Sequence, residues 1–209
     1  MAIKQYAFYF DSSRCTGCKA CQIACKDKND LEVGQKFRRV YEIQSGDWLK
    51  SGSAWIPNLQ TYNLSISCNH CENPSCTTVC PTQAMNKRED GIVSVDQDRC
   101  IGCRYCEWAC PYGSPQFNDK IGKMGKCDLC KDLLAAGEPP ACVSSCPERA
   151  LDFGELSDLE AKYGSRAQFT TVAPLPDPSM TTPAIIIKPH HSAVKTNSPE
   201  IGVANSEEV

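Results

Sequence analysis

Cysteine is the residue type that carries the chemistry of this sequence. The chain has 16 cysteines among 209 residues and only 3 histidines, and a cysteine thiolate is both a nucleophile and a metal ligand. The cysteines fall into four groups of four: Cys15-x2-Cys18-x2-Cys21-x3-Cys25, Cys68-x2-Cys71-x4-Cys76-x3-Cys80, Cys100-x2-Cys103-x2-Cys106-x3-Cys110 and Cys127-x2-Cys130-x11-Cys142-x3-Cys146. Such a repeat predicts one kind of site built four times.

Three kinds of chemistry use cysteines at this density: disulfides, zinc sites and iron–sulfur clusters. Disulfides need an oxidising compartment, and the residues before Asp11 lack the architecture of a signal peptide, so disulfides are disfavoured. A zinc site needs only two independent Cys-x2-Cys pairs, which leaves the recurring fourth cysteine of each group unexplained. The spacing therefore favours iron–sulfur clusters.

Groups one and three have the Cys-x2-Cys-x2-Cys-x3-Cys spacing of bacterial ferredoxins, in which the fourth cysteine binds a different cluster from the first three. Groups two and four contain two and nine extra residues, and proline follows the fourth cysteine in three groups. Three thiolates must converge on one cluster, so Gly17 and Gly102 are expected where the loop turns sharply. The fourth cysteine is expected to begin a helix that points away from the loop.

Exchange of the fourth cysteine between neighbouring groups predicts which thiolates share a cluster. Groups two and three are close in sequence and form one pair, which leaves groups one and four as the other pair. The ligands then divide into four [4Fe–4S] sets: Cys15, Cys18, Cys21 and Cys146; Cys25, Cys127, Cys130 and Cys142; Cys68, Cys71, Cys76 and Cys110; and Cys80, Cys100, Cys103 and Cys106.

The elements that position these loops are expected to be short, in an α+β fold of two nested bacterial-ferredoxin-like units. The predicted inner unit is 68–111, and the outer unit is 1–67 with 112–173, including an extended insertion at 27–67. Strands are predicted at 6–10 and 91–96, and helices at 104–110 and 141–145. Residues 174–209 hold six prolines and little periodicity, which predicts an extended tail that either wraps a partner or is unstructured.

Aromatic and histidine side chains outside the cysteine groups are given structural roles. The aromatics of the insertion are expected to pack under the clusters rather than to relay electrons: Tyr41, Trp48, Trp55 and Tyr62. His70, beside Cys71, and His190 and His191 in the tail are not expected to be ligands, because sixteen cysteines already satisfy four clusters.

Charge and hydropathy argue against two other classes of protein. The formal charge is −3 and becomes more negative with clusters bound, so nucleic acid is not an expected partner. No apolar run reaches the about 18 residues of a transmembrane helix. The most apolar stretch, 184–187, is bracketed by Pro183 and Pro189 and is expected to be a short extended segment docked on a surface.

The cysteine runs at 68–76 and 100–106, with Ala109-Cys110-Pro111-Tyr112-Gly113, resemble the four-cluster subunits of molybdenum oxidoreductases. Residues 11–18 and 149–154 are similar to the iron–sulfur B subunits of anaerobic dimethyl sulfoxide reductases. The resemblance implies a non-catalytic subunit that passes single electrons through four [4Fe–4S] clusters. Its implied partners are a membrane anchor that oxidises menaquinol and a molybdopterin catalytic subunit that reduces dimethyl sulfoxide and related S- and N-oxides, with peripheral membrane attachment through the anchor.

Other interpretations remain open at this point. A free-standing soluble polyferredoxin would have the same cysteines, although the long insertion and the tail favour a subunit with large docking surfaces. Iron–sulfur subunits of tetrathionate, polysulfide or nitrate reductases and of formate dehydrogenases are related alternatives. Nitrate reductase subunits carry tryptophan where this chain has Cys103, so all four clusters are expected to be [4Fe–4S]. Formate dehydrogenase subunits carry a C-terminal membrane helix, which is not expected here.

Overall fold

The computed structural model describes residues 4–166, 172–193 and 201–209, which form an α+β fold of mostly short elements. The strands are β1 (Tyr6–Asp11), β2 (Arg39–Ser51), β3 (Ala54–Ile66), β4 (Met85–Lys87), β5 (Val93–Val95), β6 (Gln116–Asn118), β7 (Lys123–Gly125), β8 (Leu151–Glu155), β9 (Ile185–Lys188) and β10 (Ile201–Val203). The helices are α1 (Ala20–Lys28), α2 (Ser75–Thr78), α3 (Tyr105–Ala109), α4 (Lys131–Ala135), α5 (Ala141–Ser144) and α6 (Leu156–Tyr163), with 3-10 turns at Pro178–Met180 and Ser206–Glu208. The predicted strands correspond to β1 and β5, and the predicted helices to α3 and α5.

β1 is the central strand of a three-stranded sheet with the order β8-β1-β9. Phe8 lies opposite Phe153 in the antiparallel pair with β8 and opposite Ile185 in the parallel pair with β9. Both faces of β1 are covered, one by the main core and the other by α6. Strands buried on both faces are nearly continuous apolar runs, which accounts for the composition of β1 and β9.

Residues 174–193 and 201–209 differ from the expected tail, because they pack onto their own chain. β9 lies at the edge of the sheet, and its residues Ile185, Ile186 and Ile187 are buried. β10 pairs antiparallel with β2, and the Asn205 side chain donates to the Val40 carbonyl. The backbone is extended as expected, and the apolar segment 184–187 docks on the chain's own sheet, so this part of the tail is not unstructured. Burial of an isoleucine triplet stabilises the sheet by about 1.5–3 kcal/mol per side chain.

β2 and β3 form a long antiparallel hairpin in which Arg39 lies opposite Ile66 and Ser51 opposite Ala54. Its root is buried in the core: Val40, Ile43, Tyr62, Leu64 and Ile66. At the tip, Trp48 is 51% exposed and Trp55 is 61% exposed. The expectation that the aromatics of this insertion pack under the clusters is therefore wrong for the two tryptophans, because the ribbon extends beyond the core.

The fourth cysteine of each group lies inside or just after a helix. Cys25 lies within α1, and the other three follow their helices: Cys80, Cys110 and Cys146. The expectation that this cysteine begins a helix is wrong, because in every group the helix begins one residue before the third cysteine. α1 packs against α5, and α2 packs against α3, so the helices of groups one and four and those of groups two and three form two pairs.

Candidate metal centres

The structure brings the cysteines of group one together with the last cysteine of group four. Cys15, Cys18, Cys21 and Cys146 line one cavity between β1, the start of α1 and the turn after α5. Burial raises the pKa of Cys15, and the neighbouring sulfurs of this set raise it further, to about 11. Cys18 is the exposed member of this set.

A second cavity is lined by three cysteines of group two and one of group three: Cys68, Cys71, Cys76 and Cys110. Burial is the main cause that raises the pKa of Cys71, to about 12, and the neighbouring sulfurs of Cys68 and Cys110 add to it. Lys126, which is 5% exposed, also lines this cavity.

The remaining eight cysteines form two further neighbourhoods. The Cys106 sulfur is surrounded by those of Cys100, Cys103 and Cys80, which raise its pKa in addition to burial. Likewise, the pKa of Cys25 is raised to about 12, mainly by burial and then by Cys142 and Cys130. Cys127 is close to Cys25 and Cys142, and its pKa is raised well above its usual value by burial. All sixteen cysteines lie in the described part of the chain, and none of them forms a disulfide.

The residue before the second cysteine has a left-handed backbone in every group. Its φ angle is 74° at Gly17, 44° at His70, 68° at Gly102 and 62° at Leu129. The turns expected at the two glycines are confirmed, and a Cβ at Gly102 would lie 2.2 Å from the Gly122 carbonyl oxygen. Non-glycine residues in this conformation store strain that persists only where the surroundings enforce it. The recurrence at four positions indicates that converging the thiols is what requires the turn.

Backbone N–H groups are directed at several of the sulfurs. The N–H of Met85 donates to Cys80 Sγ at 3.3 Å, and that of Met124 donates to Cys100 Sγ at 3.4 Å. The N–H of Leu129 donates to Cys127 Sγ at 3.4 Å, and that of Ala150 donates to Cys146 Sγ at 3.3 Å. Such N–H···S bonds favour the thiolate over the thiol and are among the factors that set iron–sulfur potentials.

Converging thiols and a buried interior together fit a cationic cluster core. Burial raises the pKa of eight of the sixteen thiols, so thiolates gathered here need positive charge beside them. Iron supplies that charge and displaces the protons, because metal ligands bind as thiolates. The donor set of four sulfurs is the one that [4Fe–4S] clusters use.

Three buried basic side chains stand beside the sulfurs: Arg38, His70 and Lys126. His70 Nδ1 accepts a hydrogen bond from the Val93 N–H, and its Nε2 lies 3.8 Å from Cys127 Sγ. The sequence spacing indicated only that His70 is near a cysteine, and it carried no signal for Arg38 or Lys126, whose partners are distant in the chain.

Comparison with known proteins agrees with the cysteine geometry. A family model described as a 4Fe-4S dicluster domain matches residues 59–156. The B subunit of anaerobic dimethyl sulfoxide reductase from Escherichia coli (strain K12) is 55% identical over 205 residues, 98% of each protein. Its counterpart in Haemophilus influenzae is 50% identical over 91% of this chain and 92% of its own. The thiosulfate reductase electron transfer subunit PhsB of Salmonella typhi is 46% identical over 75% of this chain and 79% of its own.

This chain belongs to the iron–sulfur B subunits of anaerobic dimethyl sulfoxide reductases. The resemblance found in the sequence is confirmed, and so is the prediction of a non-catalytic electron-transfer subunit, since the relatives are subunits of reductases and one of them is named for electron transfer. As a B subunit it carries [4Fe–4S] clusters, and its 16 cysteines match four of them. Among the described residues, no helix is long and apolar enough to cross a membrane.

Proposed function

We propose that this B subunit passes single electrons from a membrane anchor that oxidises menaquinol to a molybdopterin catalytic subunit that reduces dimethyl sulfoxide and related S- and N-oxides. The observation that carries the proposal is the 55% identity to a dimethyl sulfoxide reductase B subunit over nearly the whole of both proteins. On this view the chain is attached to the membrane peripherally, through the anchor.

The proposed ligand sets are those predicted from the spacing. Two sets coincide with the linings of separate cavities, and the sulfurs of the other two sets are electrostatic neighbours. Pairing of β1 with β8 and packing of α1 on α5 support the exchange between groups one and four. Packing of α2 on α3 supports the exchange between groups two and three.

The nested organisation is proposed with one changed boundary. The outer unit comprises the sheet β8-β1-β9, the β2–β3 hairpin and cysteine groups one and four. The inner unit comprises groups two and three with the β4–β5 hairpin. The β6–β7 hairpin, beyond the predicted boundary at residue 111, lies against group three, because Met124 N–H donates to Cys100 Sγ. We therefore extend the inner unit to residue 125.

Exposed apolar side chains favour a subunit over a free polyferredoxin. The hairpin tip exposes more than half of Trp48, Leu49, Trp55 and Ile56. Near group three, Trp108 is 75% exposed and Ile101 is 65% exposed. Contiguous exposed apolar surface commonly marks an interaction site, whereas a mobile carrier gains nothing from it.

The substrate of the catalytic partner distinguishes the closest alternatives. Relatives of this chain include subunits of thiosulfate and polysulfide reductases, at lower identity. We therefore test three oxidants: dimethyl sulfoxide, thiosulfate and polysulfide.

The experiment is anaerobic purification of the tagged chain from its own host, followed by reduction with a menaquinol analogue and reoxidation by each oxidant. We expect a molybdenum-containing partner and a membrane partner to copurify, and rapid reoxidation of the clusters by dimethyl sulfoxide. A fully iron-loaded chain without partners would establish the polyferredoxin. Reoxidation by thiosulfate or polysulfide alone would assign the complex to the other branch.

A further inference from the structure

Arg38 is a buried cation with no carboxylate partner. Its side chain is 1% exposed and lies just before β2, with Cζ 4.6 Å from the centre of the Phe8 ring. Nη1 donates to the Ser65 carbonyl at 3.2 Å and to Ser65 Oγ at 3.1 Å, and Nη2 donates to Ser67 Oγ at 3.0 Å. In the described part of the chain, no acidic side chain lies within ion-pair distance of it, and Nε has no hydrogen-bond partner.

A buried guanidinium cannot remove its uncompensated charge by losing its proton. Arginine stays protonated in proteins, and an unpaired buried charge is strongly destabilising. The compensating charge must therefore come from the sulfurs around it. Burial opposes the charged form, but the pKa of Arg38 is nevertheless raised by four cysteines, which are Cys142, Cys21, Cys127 and Cys25.

These four cysteines belong to two of the proposed ligand sets. Cys21 is in the set completed by Cys146, whereas Cys25, Cys127 and Cys142 are in the neighbouring set. The backbone amide of Arg38 also lies near the Cys25 thiol, whose pKa it lowers against the larger effect of burial. Arg38 thus stands at the boundary between two clusters, each of which is negatively charged because four thiolates outweigh the charge of an oxidised core.

The hydroxyl of Ser65 links the guanidinium to one of those clusters. Ser65 Oγ lies 3.3 Å from Cys21 Sγ. A guanidinium has no acceptor, so Ser65 Oγ accepts from Arg38, and its single proton is left to donate to the Cys21 sulfur. The hydrogen bond is polarised by the positive charge behind it.

We propose that Arg38 sets the reduction potentials of the two clusters bound by groups one and four. Reduction adds one negative charge to a cluster, and a fixed cation in a low-dielectric interior stabilises the reduced form more than the oxidised form. Arg38 therefore raises both potentials, and the Ser65 hydroxyl adds a smaller increment at the Cys21-bound cluster alone. The inference relies on the proposed ligand sets and electron-transfer role, and it concerns a charge that acts on the clusters without ligating them.

A second buried cation, Lys126, stands beside a different cluster. Lys126 lines the cavity of Cys68, Cys71, Cys76 and Cys110, and its charge favours the thiolate of Cys76. The cluster in that cavity therefore has its own counter-charge. Removal of Arg38 is expected to leave its potential, and that of the Cys106 cluster, less changed.

The test is a redox titration of all four clusters by electron paramagnetic resonance in the anaerobically purified complex. Signals are assigned with Cys18→Ser and Cys130→Ser, one for each cluster of interest. In Arg38→Gln, we expect the ratio of reduced to oxidised cluster at a fixed potential to fall at least tenfold for both, about 59 mV for a one-electron couple. Arg38→Lys retains the charge and should retain most of the potential. Ser65→Ala should lower the reduction potential of the Cys21-bound cluster only.

The control is Arg88→Gln, which removes the same charge from a side chain that is 44% exposed and paired with Asp90. Solvent and salt screen that charge, so no potential should move. The proposal would be overturned if Arg38→Gln left the reduction potentials unchanged, or if Arg38→Lys and Arg38→Gln lowered them equally. If Arg38→Gln fails to assemble, an unmoved Cys21 signal in Ser65→Ala overturns it. The wild-type complex separates the two proposals, because loss of its partners refutes the proposed function whatever Arg38 does.

Discussion

The proposed outer and inner units hold the same kind of cysteine group in different surroundings. In the outer unit, groups one and four lie against a sheet and a hairpin root whose buried side chains include Phe8, Phe10, Leu64 and Ile187. In the inner unit, the buried cluster around groups two and three consists of Met85, Val93 and Met124 with two cysteines. The difference is in how much apolar surface stabilises each unit besides its metal.

Apolar burial stabilises a protein by about 25 cal/mol per Å². The outer unit has many buried apolar side chains. It also contains Arg38, whose buried positive charge is compensated only by the negative clusters. The inner unit has fewer buried apolar side chains, so we expect its fold to depend more strongly on iron–sulfur bonds. We therefore expect this chain to combine a core stabilised by apolar burial with one stabilised mainly by its metal.

Iron removal should give the largest effect and tests this contrast directly. After anaerobic chelation, we expect backbone amides of β4 and β5 to exchange hydrogen as in an unfolded chain. Those of β1, β8 and β9 should keep measurable protection, because their sheet buries apolar side chains without iron. Hydrogen exchange followed by mass spectrometry compares both regions in one sample. Simultaneous and complete loss of protection in both would mean that the clusters hold the whole chain together.

The fold could be predicted from sequence where the local pattern was specific. The apolar residues before group one indicated β1, and the cysteine spacing indicated α3 and α5. The place of β9 could not be predicted, because its three isoleucines lie about 175 residues from β1 and only the folded sheet shows that they pair. Prolines around that segment indicated an extended backbone but not its neighbour.

Removing one buried side chain from the outer sheet should have the next largest effect. Ile186 lies on β9 and is fully buried, in the apolar cluster that the sheet forms with α6. Ile186→Ala is expected to lower the free energy of opening of this sheet by about 2–5 kcal/mol, through lost burial and a cavity. Hydrogen exchange of β1 and β9 in the iron-loaded protein measures it. Val33→Ala, at a position that is 97% exposed, is the control and should change little. Equal loosening of β4 and β5 in Ile186→Ala would show that the two units open together.

Exchange of the fourth cysteine predicts an effect confined to one cluster in each unit. Cys25→Ser should alter the cluster of Cys127, Cys130 and Cys142, because serine replaces a soft thiolate with a harder oxygen ligand. Cys80→Ser is the matched change in the inner unit and should alter only the cluster of Cys106. Paramagnetic resonance with redox titration should show one changed signal in each variant. If Cys25→Ser instead changes the signal that Cys18→Ser changes, group one closes its own cluster and the nested arrangement is wrong.

For the site, spacing predicted which cysteines would meet, but it did not predict the side chains that surround them. Arg38 is 13 residues after Cys25 and 30 before Cys68, and no local motif marks it. Its proposed role follows from the return of the hairpin, which brings Ser65 and Ser67 to its guanidinium. His70 and Leu129 likewise adopt the turn that glycine marks in the other groups, and their side chains give no sign of it.

The smallest effect is expected at the hairpin tip, which belongs to the outer unit but not to its core. Trp48 and Trp55 are more than half exposed, so Trp48→Ser and Trp55→Ser should change the free energy of unfolding by no more than about 0.5 kcal/mol. Leu64→Ala, at the fully buried root of the same hairpin, is the contrasting change and should cost about 2–5 kcal/mol. The temperature at which the cluster absorbance is lost ranks the three variants. Because neither tryptophan lines either of the two cysteine cavities described above, iron content should be unchanged in both variants. Loss of iron from either of them would return the tryptophans to the role that composition alone had predicted, as packing beneath the clusters.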